Sequence, residues 1–555
     1  MKRPSVATCC RRRANARCHV LDTSGPLTIL VPEQLFSEGD CVGLYHASGS
    51  LGERWVHATG TKRDWNGVDR PGQPRKNPSP CDGLTPWRNW PSTSFGDTRP
   101  ARYRPGPRRA RRFALKILVL DVYPRKGYRV TKDTNGGYGT SNDYGRGLIP
   151  YLLTRLVAKG VDWPPMFSAY AAGALRHAGH EVRYSRDVAD AAGADLCVLP
   201  SSIVAHETEV EAVRTVTAQG IPAMVIGPFA GSVPEPYIAA GGKVLGGEPE
   251  MYLRASLPPT VEGVKALPDM IPAAAAAEVD ALGFYPAWDL MTGSAPRMRF
   301  IGKGMTVPIL ATRGCPYSCS YYCTYPLQQG RKVRARDPEH VVGEMAHWQD
   351  TLGVGSFIFR DPVFSIDRRH TLALCDAIER SGRKFAFGIE THLKNLDDEL
   401  VARLKRAGLR MIYVGIESVT PEVIKDARRF SLAVDEQSAR VRMVEAAGVK
   451  LKAMYIFGLP RDTVETCEAA IRYAVALNST YAQFNIFTPY PGTPIFQTYR
   501  ERIVSRHYED FGQSMLVFRH DNLSPADARD LLSRAYSRYY GNPAWWLRHA
   551  LQAFA

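Results

Sequence analysis

From Leu115 onward the chain is a succession of short apolar runs, separated by helical patterns that tend to end at glycine. No other feature constrains the fold as much. Runs of this length without polar alternation suit strands buried on both faces, and such strands sit in parallel sheets covered by crossover helices. The first series is Leu115–Val122, His180–Tyr184, Ala194–Leu199, Pro222–Ile226 and Lys243–Leu245. Between these lie a Gly/Asn/Tyr-rich loop (Asn135–Gly147) and helices at Met166–Ala178, Glu207–Ala218 and Pro234–Ala240. The pattern predicts a doubly wound, Rossmann-like α/β domain with right-handed crossovers. In such sheets ligands lie outside the carboxyl ends of the strands. Those ends carry Ser201 and Ser202, Gly227-Pro228, and Gly246-Gly247-Glu248-Pro249-Glu250, where small residues admit a large ligand close to the backbone.

Composition matters mainly for what it removes. Over 555 residues, 71 Lys+Arg face 55 Asp+Glu, a formal charge of +16. Residues 1–112 alone carry 17 Arg, 3 Lys and 9 Asp+Glu, a net of +11, so the rest of the chain is only mildly basic. This first segment lacks sustained periodicity beyond Leu27–Val31 and reads as a basic, low-order extension, or as upstream sequence translated from a misassigned start. A nucleic-acid or anionic-lipid arm would rest on net charge alone, and no specific nucleic-acid partner is expected. No apolar run is long enough to span a membrane, and Arg11–Arg13 lack the apolar stretch of a signal peptide. Eleven cysteines suggest disulfides at first. Their distribution argues otherwise.

Cys315, Cys319 and Cys323 fall within nine residues, directly after the apolar strand Val307–Ala311. A disulfide would leave one over, and the other cysteines of the ordered region, Cys197, Cys375 and Cys467, are scattered singly. Structural zinc usually takes four Cys/His ligands in paired spacing. Three close thiolates suit an iron–sulfur cluster with one iron lacking a protein ligand, a position open to chelation by a substrate or cofactor.

At Thr312-Arg313-Gly314-Cys315-Pro316-Tyr317 the chain resembles the radical S-adenosylmethionine (SAM) superfamily, whose usual signature is C-x3-C-x2-C; here the second spacing is one residue longer. The resemblance continues through Gly415-Ile416-Glu417-Ser418, Gly458-Leu459-Pro460 and the segment Thr488–Pro494. Further apolar strands, Phe357–Arg360, Phe385–Ile389, Met411–Gly415, Leu451–Phe457 and Ala482–Phe487, alternate with helices such as the one begun by Asp337-Pro338 and the one over Val434–Ala447. Six β/α units make a partial (β/α)6 barrel with functional side chains at its strand ends. An α/β domain preceding such a barrel resembles the cobalamin-binding class, and Val225–Pro228 and Val244–Glu250 match that class's later strand ends. The expected organisation is an extension (1–112), a cobalamin-binding-like α/β domain (113–255), a linker (256–300), the barrel (301–507) and a helical tail (508–555).

The resemblance implies that Cys315, Cys319 and Cys323 hold a [4Fe–4S] cluster. SAM chelates its open iron and is cleaved to a 5′-deoxyadenosyl radical that removes hydrogen from an unactivated carbon. Tyr322 matches the aromatic position near the adenine. Asp361 and Glu417 are candidates for holding SAM, and Ser201, Ser202, Gly227 and Gly247 for holding cobalamin. The D-x-H-x-x-G motif that supplies a cobalt ligand elsewhere is missing, so cobalamin bound without a protein histidine is expected; His177 and His180 read as helix-end polar residues. The implied reaction is C-methylation of a small-molecule or lipid-like metabolite. The alternatives are a cyclisation, oxidation or rearrangement without methyl transfer, then a non-enzymatic iron–sulfur electron carrier; tRNA methylthiolation would want a second set of cysteines. A flavodoxin- or ferredoxin-like reductant and a reducing cytoplasm follow from the cluster. In the tail, Ser524-Pro525 begins a helix running to Tyr540, and Pro543–Phe554 carries Trp545 and Trp546. Packing on the barrel is its expected role, with contact to a membrane surface the alternative.

Overall fold

The computed structural model describes residues 114–124, 126, 128–158, 165–272, 279–294 and 301–554, together with a few short upstream strands. Met1–Asp97 is a unit of its own. In it, Arg17–Asp22 pairs antiparallel with Gly25–Leu30, and Cys41–Gly43 with Trp55–His57. The low-order reading of residues 1–112 falls mostly outside the described residues.

Downstream, the chain builds two parallel sheets. The first contains β1 (Lys116–Leu120), β2 (Glu181–Ser185), β3 (Leu196–Pro200), β4 (Ala223–Ile226), β5 (Lys243–Leu245) and β6 (Met270–Ile271). Their order is β6-β5-β4-β3-β1-β2, every pair parallel. β1 and β3 are therefore neighbours while β2 lies outside them, which puts the topological switch point between their carboxyl ends. All five residues of β3 are buried, as its unbroken apolar run requires. The sixth strand comes from the stretch read as a linker, where Trp288 and Met291 are also buried. Part of that linker is thus core. A two-residue edge strand with Met270 exposed leaves too little pattern to read.

The second sheet contains β7 (Met305–Ile309), β8 (Val354–Phe359), β9 (Phe387–Thr391), β10 (Leu409–Glu417), β11 (Lys450–Phe457) and β12 (Tyr481–Ile486) in chain order, all parallel. Sequential parallel strands with intervening helices curl into a half-barrel. β11 shows the strand period of two: Leu451, Ala453, Tyr455 and Phe457 are buried, whereas Lys452, Met454 and Ile456 line the interior cavity. Ile301, Ile358, Met411 and Tyr413 form a small apolar cluster of their own.

β12 is an edge strand, and its unpaired backbone groups need partners. The helix Pro525–Tyr540, begun by a Ser524–Asp527 capping box, supplies them. The Tyr536 hydroxyl bonds both N–H and C=O of Phe484, and the Tyr540 hydroxyl does the same for Ala482. Trp545, in the last helix, donates to the Thr480 carbonyl at 3.1 Å. The tail packs on the barrel. Among the described residues no helix is long and apolar enough to cross a membrane.

Candidate active site

A cavity of about 550 Å³ occupies the barrel mouth and is shared by both α/β layers. Cys315, Cys319, Cys323, Tyr322 and Glu417 line it from the barrel, and Thr131, Thr134, Asn135, Thr140 and Asn142 from the loop after β1. The cysteine loop is held from several sides. The Cys315 N–H donates to the Gly330 carbonyl, Arg331 to the Pro316 carbonyl, and Ser318 Oγ to the Arg428 carbonyl. Gly314 has φ +92°, and a Cβ there would stand 2.0 Å from the Lys332 carbonyl oxygen. Only glycine fits.

The longer second spacing has a local explanation. Ser318–Tyr321 is a 3-10 turn, and the Tyr322 and Cys323 N–H groups both donate to the Cys319 carbonyl. Cys319 and Cys323 are thereby one helical turn apart, a separation that puts side chains on the same face. All three thiols are free. Burial pushes their pKa values up, and the Arg429 guanidinium opposes this in each. Among the described residues no three Cys, His, Asp or Glu side chains converge as ligands of a single ion. Three thiols lining one cavity are the donor set that a cluster with one open iron takes.

Glu417 ends β10 with φ +63°, in the left-handed region, which turns the chain at the cavity wall. Its carboxylate pairs with Arg429 at 3.0 Å, and the Tyr322 hydroxyl donates to it across 3.4 Å. Burial raises the Glu417 pKa against the pull of Arg429. Arg429 also donates to the Gly415 carbonyl at 2.8 Å. The structure thus brings Tyr322, Glu417 and the three cysteines together.

Asp361 is a correction. It is fully buried, outside the cavity lining, and spent on the end of β7: it accepts from the N–H groups of Ala311 and Thr312 and from Thr312 Oγ1 at 2.7 Å. Its carboxylate fixes the strand end that launches the cysteine loop rather than facing a ligand. Ser201 and Ser202 are likewise committed elsewhere. Ser201 Oγ accepts from the Ala230 N–H at 3.0 Å, and Ser202 donates through both N–H and Oγ to Glu209. Beside them Lys132, fully buried, bridges Asp121 at 3.1 Å and Glu209 at 2.8 Å. Gly227 and Gly247 line only a cleft of about 20 Å³. A Cβ on Gly227 would lie 2.9 Å from Ser201 Oγ, so this glycine serves packing. His180 accepts from the Leu115 N–H, a structural contact.

Several cavity residues carried no readable motif. Arg360 lies between Asp133 at 2.9 Å and Glu390 at 2.5 Å, while Tyr325 donates to Glu390 at 2.7 Å. His392 bonds the Phe430 carbonyl, and burial together with Arg429 lowers its pKa to about 4, so it is neutral. Lys452, Gln483 and Asn485 lie on inward positions of β11 and β12. The period-two pattern of those strands was the one signal that could have singled them out.

A parallel half-barrel with three free thiols in its mouth has the donors that an iron–sulfur cluster with one open iron needs. In agreement, residues 309–474 match the family model described as the Radical SAM superfamily. The chain is 28% identical over 419 residues to the anaerobic magnesium-protoporphyrin IX monomethyl ester cyclase of Cereibacter sphaeroides, covering 68% of this chain and 67% of that protein. It is 29% identical over 206 residues to the bacteriochlorophyllide d C-12(1)-methyltransferase of Chlorobaculum tepidum, covering 37% of this chain and 44% of the other. The fold is similar to the radical SAM methyltransferase TsrM of Kitasatospora setae, solved with cobalamin and a [4Fe-4S] cluster, at TM-score 0.54 and 16% identity over 78% of this chain and 90% of that one. The barrel segment 309–474 is thus similar to the Radical SAM superfamily in sequence, and the fold around it to TsrM.

Proposed function

We propose that this protein is a cobalamin-dependent radical SAM enzyme that methylates an unactivated carbon of a small molecule. The observation that carries the reading is the set of three free cysteines ranged along the mouth of a six-stranded parallel barrel. Cys315, Cys319 and Cys323 would hold the cluster, and Tyr322 and Glu417 would line the SAM position beside it. The wall from the first domain suits the amide-rimmed face of a corrin: Thr131, Thr134, Asn135, Thr140 and Asn142 are neutral donors and acceptors. The buried Asn135 Nδ2 has no hydrogen-bond partner among the described residues, and a bound amide oxygen would satisfy it. When bound, the cluster and SAM supply one-electron radical chemistry and cobalamin supplies a transferable methyl group.

The chain's own residues do the rest. Arg429 offsets negative charge at the thiols and holds Glu417 in its strained conformation. The Arg360–Asp133–Glu390 set ties the loop after β1 to the barrel with its charges paired. Substrate and cofactors filling the mouth would exclude water, which a carbon radical requires. A flavodoxin- or ferredoxin-like reductant would deliver the electron, in a reducing cytoplasm. A cyclisation without methyl transfer is the second reading, favoured by the cyclase to which 68% of the chain aligns. Incubating the anaerobically reconstituted protein with SAM labelled in its methyl group separates the two: label in a product supports methylation, and product without label supports the second reading.

A further inference from the structure

Ile358 and Tyr413 of the small apolar cluster line the cavity, and so does Lys452, on β11 five residues before its carboxyl end. At the rise of a strand this is roughly 16 Å below the rim from which the cysteine loop starts. Three other cations line the cavity, Arg129, Arg360 and Arg429, and none is without a partner. Arg360 is paired with Asp133 and Glu390, and Arg429 with Glu417. Lys452 makes no ion pair and no hydrogen bond among the described residues, and its ammonium lies 5.6 Å from the centre of the Tyr413 ring. Arg360 and Glu390, the charged groups that face it, are already committed to each other. Around it stand groups able to complete an oxyanion site. The Tyr413 hydroxyl is buried without a partner among the described residues, and Gln483 and Asn485, the first donating to the second at 3.2 Å, line the cavity from the neighbouring strand.

An ammonium in such surroundings is expensive to hold without a counter-charge. Burial, reinforced by Arg360, lowers its pKa to about 8, as expected of a cation that awaits its anion. Among the described residues no carboxylate pairs with it, Glu390 being held by Arg360. We propose that Lys452 is the anchor for a carboxylate on the substrate, so that the enzyme acts on small organic acids seated with their acid group at the cavity floor. Tyr413 donates a second hydrogen bond to the same oxygens, and the apolar wall of Ile358 and Met454 takes the adjoining carbon skeleton. SAM's own carboxylate is the other source of such an anion, but on the proposed reading it lies at the cluster, near the rim. The proposal rests on the cavity being the substrate chamber of the methylation reading. Its test reads binding, so failure of either can be told from failure of the other.

The test is calorimetric titration of the full-length protein with indole-3-propionate and with its primary amide, which differ in charge at one position. The wild-type protein is expected to bind the acid about tenfold more tightly than the amide, the effect of one charge-assisted hydrogen bond. Lys452→Arg retains that preference and Lys452→Gln abolishes it. Saturating SAM leaves the acid's affinity unchanged. On acid binding, the Lys452 amine, observed by NMR after reductive methylation, titrates at a higher pH than in the free protein. An acid that binds the wild type no better than the amide overturns the proposal without recourse to any variant. So does a preference that survives in Lys452→Gln, or competition between SAM and the acid.

Discussion

Two places in the molecule have the topology of a ligand site, and they are built in opposite ways. At the switch point of the first sheet the charges are complete: Lys132 lies between Asp121 and Glu209, Tyr184 and Tyr237 donate to those carboxylates, and Ser202 closes the set. At the barrel mouth the polar groups stay open: three free thiols surround about 550 Å³ together with an Asn135 Nδ2, a Tyr413 hydroxyl and a Lys452 ammonium that have no hydrogen-bond or ion-pair partner among the described residues. The first arrangement stabilises and the second waits for ligands. A polar network that is fully satisfied specifies a core, whereas a group left without a partner marks where one arrives.

Substitutions should separate the two regions. The largest effect falls on the mouth: Cys319→Ala is expected to lose the cluster altogether, measured as iron content and brown absorbance after anaerobic reconstitution, with little change in melting temperature. Iron content equal to wild type would break the contrast. The next falls on the closed crevice. Lys132→Met leaves Asp121 and Glu209 buried without their cation and should cost about 3–5 kcal/mol of stability by urea unfolding, without the gain of a new ligand.

Asp361→Asn tests whether that carboxylate belongs to the framework. It weakens three hydrogen bonds at the end of β7 and should cost about 1–3 kcal/mol, with SAM affinity nearly unchanged. Burial raises the Asp361 pKa to about 6, against the hydrogen bonds from Thr312 and Ala311. The folded protein therefore keeps this proton to a higher pH than the unfolded chain, whose value is about 4. The group's contribution is full below about pH 4 and is lost as pH rises through 6. In the variant, stability measured across that window should vary less. The smallest effect on the site is expected at Glu417→Gln, where SAM binding weakens by about tenfold, roughly 1.4 kcal/mol.

The contrast also explains what could be read from sequence. Buried parallel strands advertise themselves: β5 was read to the residue as Lys243–Leu245, and β11 to within one at its start. The cysteine triad and Glu417 were legible because their spacing and strand-end position are local. Ser202 and Asp361 were misjudged for one reason. A strand-end polar residue has the same signature whether it meets a ligand or a neighbouring backbone, and only the fold shows Glu209 and Thr312 waiting for them. Lys132 lies between the strand and the loop that were read from the sequence, where no motif marked it, and its partners come from the residue that follows β1 and from the helix His206–Ala218, 11 and 77 residues away. Arg429 and Lys452 had no motif; their meaning depends on which charges the barrel brings alongside.

Whether Cys315, Cys319 and Cys323 hold a cluster that works on SAM at this cavity is decided by reconstituting the full-length protein with iron and sulfide without oxygen, adding SAM and a low-potential reductant, and quantifying 5′-deoxyadenosine. The nucleoside is expected to form in wild type and to be absent from each of the three single Cys→Ala variants. Wild-type protein that holds iron and binds SAM yet forms none, or a Cys→Ala variant that forms it at the wild-type rate, would contradict this role for the cysteines.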